Sequence, residues 1–116
     1  MRRGDIYRVA EAASSDATRF RIFVVVSRQA LIESQHAAVV CAPVYPTRIG
    51  LSTEVHVGTD EGLRQAGSVH CDVLLSVPKS SLTQRVGHLP SARLPELDRA
   101  LVAALGISTE GGTPRM

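Results

Sequence analysis

Apolar and polar residues alternate along most of the chain and switch to helical spacing only near its end. "GDIYRVAEA" (4–12) sets Ile6, Arg8 and Ala10 on one side and Tyr7, Val9 and Glu11 on the other, which predicts a first strand. "ASSDATR" (13–19) is a polar loop. "FRIFVVVSR" (20–28) is β-branched and aromatic and predicts a second strand, with Arg21 at its entrance on the face of Phe23 and Val25. "QALIESQ" (29–35) is a connection with room for a single helical turn. "HAAVVCAPVY" (36–45) is short and almost wholly apolar, as suits a strand buried on both faces. Pro43 has no N–H for a ladder, so a bulge or bend is expected there.

The alternation resumes after the loop "PTRIGL" (46–51). In "STEVHVG" (52–58) Val55 and Val57 point inward, Glu54 and His56 outward. "TDEGLRQAG" (59–67) is a further loop. "SVHCDVLL" (68–75) reads as one strand with Val69, Cys71, Val73 and Leu75 on one face and Ser68, His70 and Asp72 on the other. That would put His70 and Asp72 about 6.6 Å apart on the same face. "PKSSLT" (78–83) is a turn and "QRVGHL" (84–89) a last short strand. In "SARLPELDRALVAALG" (91–106), Leu94, Leu97, Leu101, Ala104 and Leu105 recur at helical spacing. Ser91 is a candidate N-cap, Pro95 a candidate first-turn residue and Gly106 a natural stop. The pattern predicts a mainly β (α+β) domain over residues 1–107. It is a small barrel of five to seven short strands closed by a C-terminal amphipathic helix, with 108–116 as a flexible tail.

Composition narrows this further. A chain of 116 residues with 44% apolar content supports one core. With only two Phe, two Tyr and no Trp, that core must be aliphatic. The net charge of +2 is compatible with a nucleic-acid partner without demanding one. Lys79 is the only lysine among thirteen basic residues. Arginine forks match phosphate, although a GC-rich genome also favours Arg, Ala and Val. Cys41 and Cys71 fall in apolar runs and read as small core hydrophobes, a disulfide between them being left open. There is no apolar leader and no run approaching a membrane span, so the expected location is the cytoplasm.

Motifs for zinc, dinucleotide, P-loop or serine-hydrolase chemistry are absent. The remaining candidates are Arg21, Tyr45, Thr47, Arg48, His70 and Asp72. A cation, an imidazole and a carboxylate can cut RNA without a metal. A base takes the 2′-OH proton, an acid protonates the leaving 5′-oxygen, and a cation steadies the charge on phosphorus. Each also has an ordinary structural explanation: a solvated polar face for His70 and Asp72, a strand-end arginine for Arg21, a rim aromatic for Tyr45. His36, His56 and His88 are dispersed and read as surface residues.

"RRGDIYRV", "RFRIFVVVSR", "VVCAPVYPTRIGLSTEV", "GSVHCDVLLSV" and "SLTQRVGHL" occur in the order seen in the MazF/PemK (Kid) toxins of bacterial toxin–antitoxin pairs, which the chain resembles over about residues 2–107. The resemblance implies an SH3-like, CcdB/PemK-type barrel and a homodimer. It implies a sequence-specific, metal-independent endoribonuclease acting on single-stranded mRNA, with no cofactor. It further implies a cognate antitoxin whose acidic disordered segment blocks the RNA site, and a toxin–antitoxin complex that binds operator DNA. By position, Arg21 matches the family's active-site arginine and Asp72 the acidic residue, and His70 stands where an arginine is usual. Tyr45 and Thr47 fall in the segment that brings a hydroxyl to the site, and Arg19 and Arg48 flank the implied RNA path. The implied roles are Asp72 as base, His70 as acid and Arg21 on the phosphorus, with Arg19, Tyr45, Thr47 and Arg48 on the substrate. Two other readings stand beside this one: a CcdB-like gyrase-binding toxin, and a family member that binds antitoxin without cutting RNA.

Overall fold

A computed structural model describes residues 1–11 and 20–108. Arg19 and the tail beyond Ser108 lie outside the described residues. Seven strands form one antiparallel sheet: β1 (Asp5–Ala10), β2 (Phe20–Val25), β3 (Ala38–Tyr45), β4 (Glu54–Val57), β5 (Gly67–His70), β6 (Leu75–Pro78) and β7 (Gln84–His88). A short helix, α1 (Gln29–Glu33), follows β2, and α2 (Leu94–Leu105) closes the chain. The strand order is β4-β5-β3-β2-β1-β7, with β6 also paired to β3. The sheet curls into a half-barrel. No helix among the described residues is long and apolar enough to cross a membrane.

The curl leaves two apolar clusters. Inside, Ile6, Val24, Val26, Ala42, Val55, Val57, Val69 and Cys71 pack against Leu97 and Ala100 of α2. Outside, Tyr7, Phe23, Val25, Val39, Cys41 and Val77 pack with Ile32 of α1 and Leu82. Both cysteines are free and buried. Burial pushes the Cys41 thiol up to about 12. It pushes Cys71 up to about 11, with neighbouring Asp72 adding to the rise. Both therefore act as core hydrophobes and not as nucleophiles.

β3 is the pivot. Its Ala38–Cys41 half pairs with β6 and its last two residues, Val44 and Tyr45, pair with β5. Val26 N–H bonds to Val40 O, so in the β2–β3 ladder the even residues of β3 face β2 and Pro43 faces the opposite edge. There its missing N–H falls in the gap where the β6 ladder has ended and the β5 ladder has not begun. The β2–β3 register runs through Pro43 without a bulge; the break lies on the other edge.

The same handover overturns the single strand expected over 68–75. β5 ends at His70, Cys71–Val73 form a 3-10 turn, and β6 starts at Leu75. The chain must step sideways to take up the next stretch of β3, and the turn reverses its side-chain parity. Val69 and Cys71 serve the inner cluster, whereas Leu75 and Val77 serve the outer one. Val73, expected inside, is 50% exposed.

α2 is entered through a 3-10 turn, Ser91–Arg93, with Pro95 in its first turn and Gly106 left-handed at its end, φ 66°. Ser91 does not cap it. Instead Arg93 clasps the helix start to the barrel. Its guanidinium meets Glu96 at 2.8 Å, Glu61 at 3.2 Å and the His56 carbonyl at 2.7 Å. Glu61 and Gly62, in the β4–β5 loop, lie directly on β7. A Cβ on Gly87 would collide with the Glu61 carbonyl oxygen, and one on Gly62 with that of Val86. Gly87→Ala should therefore cost at least about 3 kcal/mol in urea unfolding. Gly106→Ala, with open space around it, should lose only about 1 kcal/mol for its left-handed backbone.

Candidate active site

Cross-strand partners share a sheet face, so the registers place the site. Tyr45 pairs with Ser68, and Glu54 with His70. Ile22 pairs with Val44, so one further step of that register sets Arg21 opposite Tyr45. Arg21, Tyr45, Ser68, His70 and Glu54 thus lie on the outer face, at the end of the sheet away from α1. Arg21 is exposed and its guanidinium sits over the Phe23 ring, 4.9 Å from the centroid. The Tyr45 ring meets the His70 imidazole edge to face, with centroids 5.0 Å apart.

His70 is held from behind. Its Nε2 lies 3.1 Å from the Thr47 carbonyl oxygen and 3.8 Å from Glu54 Oε2. The His70 side chain is 14% exposed and that of Glu54 only 4%. Glu54 faces outward from the barrel, as expected, but the 46–53 loop folds across it. The carboxylate accepts the Leu51 N–H at 2.8 Å, the Ile49 N–H at 3.1 Å and the Ser68 hydroxyl at 2.8 Å. These donors, led by Leu51, hold Glu54 down at about 2 against the upward push of desolvation. One buried carboxylate therefore fixes the loop that carries Thr47 and Arg48 and the strand that carries His70.

Thr47 reaches His70 through its backbone carbonyl, not its hydroxyl. Arg48 is exposed on the same loop and makes no ion pair among the described residues. Asp72 is exposed in the 3-10 turn and accepts the Thr53 hydroxyl at 2.5 Å. Because the strand ends at His70, no ion pair or hydrogen bond joins His70 to Asp72, and the imidazole faces Glu54 instead. Beyond Tyr45 a cleft of about 920 Å³ runs towards the barrel mouth, with Arg8, Phe20, Ile22, Leu63, Arg64 and Val86 in its walls. Arg8 stacks 4.6 Å above Phe20. Among the described residues no three His, Cys, Asp or Glu side chains are placed to hold a metal ion.

Sequence reasoning missed Glu54 and Thr53. Alternation marks Glu54 as an outward position and gives Thr53 no distinguishing signal; only the β4–β5 register, Glu54 opposite His70, brings the carboxylate to the imidazole.

The curled antiparallel sheet with its closing helix carries arginine, tyrosine and histidine on one face. The family of PemK-like, MazF-like toxins of type II toxin–antitoxin systems matches residues 2–105, and the chain belongs to it. It is 32% identical over 109 residues to the probable endoribonuclease MazF of Mycolicibacterium smegmatis, covering 93% of this chain and 99% of that protein. It is 36% identical over 63 residues to endoribonuclease MazF3 of Mycobacterium tuberculosis, covering 54% of this chain but only 61% of that protein's length. A solved endoribonuclease in complex with its cognate antitoxin, from a mycobacterial species, superposes with a TM-score of 0.79 at 25% identity, over 95% of this chain and 99% of that one.

Glu54 also sets an acid limit on stability. A carboxyl lowered from 4.5 to about 2 on folding stabilises the fold fully above 4.5, and that contribution drains away as pH falls towards 2. Acid titration of thermal stability should show this loss in the native chain and a shallower one in Glu54→Gln.

Proposed function

We propose that this chain is a toxin endoribonuclease that cuts single-stranded mRNA at particular sequences without a metal, and that a cognate antitoxin protein neutralises it. The observation that carries the reading is the outer face shared by Arg21, Tyr45 and a buttressed His70, next to an arginine- and aromatic-lined cleft. Family membership and relatives named as endoribonucleases support it. The structural neighbour solved with its antitoxin supports the partner.

In the proposed reaction Asp72 takes the proton of the ribose 2′-OH and the 2′-oxygen bonds to phosphorus. The P–O5′ bond breaks and the His70 imidazolium gives its proton to the departing 5′-oxygen. Arg21 balances the charge on the phosphorane. The ribose brings its own nucleophile, adjacent to the phosphate, so positioning supplies much of the rate. Tyr45, Thr47 and Arg48 hold the chain of nucleotides, aromatic faces stacking on bases and guanidinium groups meeting phosphates. The products are a 2′,3′-cyclic phosphate and a 5′-hydroxyl. The working form is a homodimer in the cytoplasm, and the toxin–antitoxin complex binds operator DNA.

Purified protein should cut a long mixed-sequence RNA equally with EDTA or magnesium, and leave cyclic phosphate ends. His70→Ala and Asp72→Asn should each slow cleavage by about 10²–10⁴-fold. RNA left intact under both conditions would contradict the reading.

A further inference from the structure

Resting on the reading of His70 as the acid, we infer that Glu54 is its positioning residue. Together with the Thr47 carbonyl, the Glu54 carboxylate keeps a proton on Nε2 and leaves Nδ1 as the nitrogen that exchanges a proton with RNA. The geometry leaves little choice. A neutral imidazole carries one N–H, and Nε2 faces two groups that can only accept: the Thr47 carbonyl at 3.1 Å and Glu54 Oε2 at 3.8 Å. An unprotonated Nε2 there would set lone pair against lone pair. Nδ1 has no partner, yet no buried side-chain nitrogen or oxygen among the described residues lacks one. Nδ1 therefore reaches solvent, where a leaving oxygen can approach.

Glu54 acts by two routes. Its charge faces the imidazole directly, and its oxygens fix the Ile49 and Leu51 N–H groups of the loop whose Thr47 carbonyl completes the hold. A glutamine cannot replace it on both counts, because its NH2 end would meet donors already aimed at a carboxylate oxygen. His56, on the same strand face but exposed, lacks this backing and serves as an internal reference.

Long-range 1H–15N correlation spectra, at a pH where the imidazoles are neutral, decide the tautomer. His70 should be wholly Nε2–H in the native chain, while His56 shows a mixture. In Glu54→Gln, His70 should move towards a mixture, and kcat for RNA should fall about 10- to 100-fold with KM within about twofold. Glu54→Asp, which keeps the charge, should recover part of kcat. A native His70 protonated on Nδ1 overturns the inference, as does a folded Glu54→Gln with unchanged tautomer and kcat. If that variant does not fold, the native spectrum still decides. A His70→Ala variant that cuts RNA at full rate overturns the catalytic reading beneath the inference and is distinguishable from both.

Discussion

A carboxylate taken out of water must find its donors in the chain, and much of this site follows from where Glu54 finds them. Three come from two segments: the backbone of the 46–53 loop and the Ser68 hydroxyl of β5. The loop has few apolar anchors of its own, and Ile49 and Leu51 are 66% and 50% exposed. Hydrogen bonds hold it: Ile49 and Leu51 to Glu54, the Thr47 carbonyl to His70, and Thr53 to Cys71 and Asp72. Because Glu54 pairs in register with His70, the same carboxylate that orders the loop backs the imidazole. Fold and chemistry meet in a single ionised group, and the ion is stable there because its hydrogen bonds outweigh its desolvation.

The site also depends on how β3 shares its edge. One eight-residue strand pairs with two four-residue strands, and the 3-10 turn between them is the cost of that arrangement. The turn ends β5 at His70, leaving the imidazole at a strand terminus beside the end of β3, where Tyr45 stands. It lifts Asp72 out of the sheet onto an exposed corner, tied to Thr53. The two nearby carboxylates thus differ: Glu54 is shielded and faces the imidazole, whereas Asp72 is exposed and accepts the Thr53 hydroxyl.

Much of this was legible in the sequence. Strand positions, the closing helix, Pro95 and Gly106 at its ends, and Cys41 and Cys71 as core residues all follow from local rules of alternation, backbone preference and burial. Arg21 and Tyr45 became candidates through their residue types and through the positions they hold in the resemblance to the MazF/PemK toxins. What escaped were consequences of pairing between strands distant in sequence. Nothing local distinguishes "SVHCDVLL" as one strand from two strands and a turn, because the reason for the break lies in β3. Nothing local marks Glu54 as buried, because the loop that covers it does so through backbone N–H groups that have no sequence signature. The shared strand face expected for His70 and Asp72 rested on unbroken alternation, which the Cys71–Val73 turn ends; the carboxylate that faces His70, Glu54, lies on the neighbouring strand.

The proposed function requires RNA to bind the outer-face corner around His70. It is tested most directly by mapping amide and side-chain NMR shifts on adding a mixed-sequence RNA oligonucleotide whose riboses are replaced by 2′-deoxyribose, which removes the nucleophile. Shifts should concentrate on Arg21, Tyr45, Thr47, Arg48, His70 and Asp72 and fade towards α1. Shifts confined to α2, with the His70 corner silent, would contradict it.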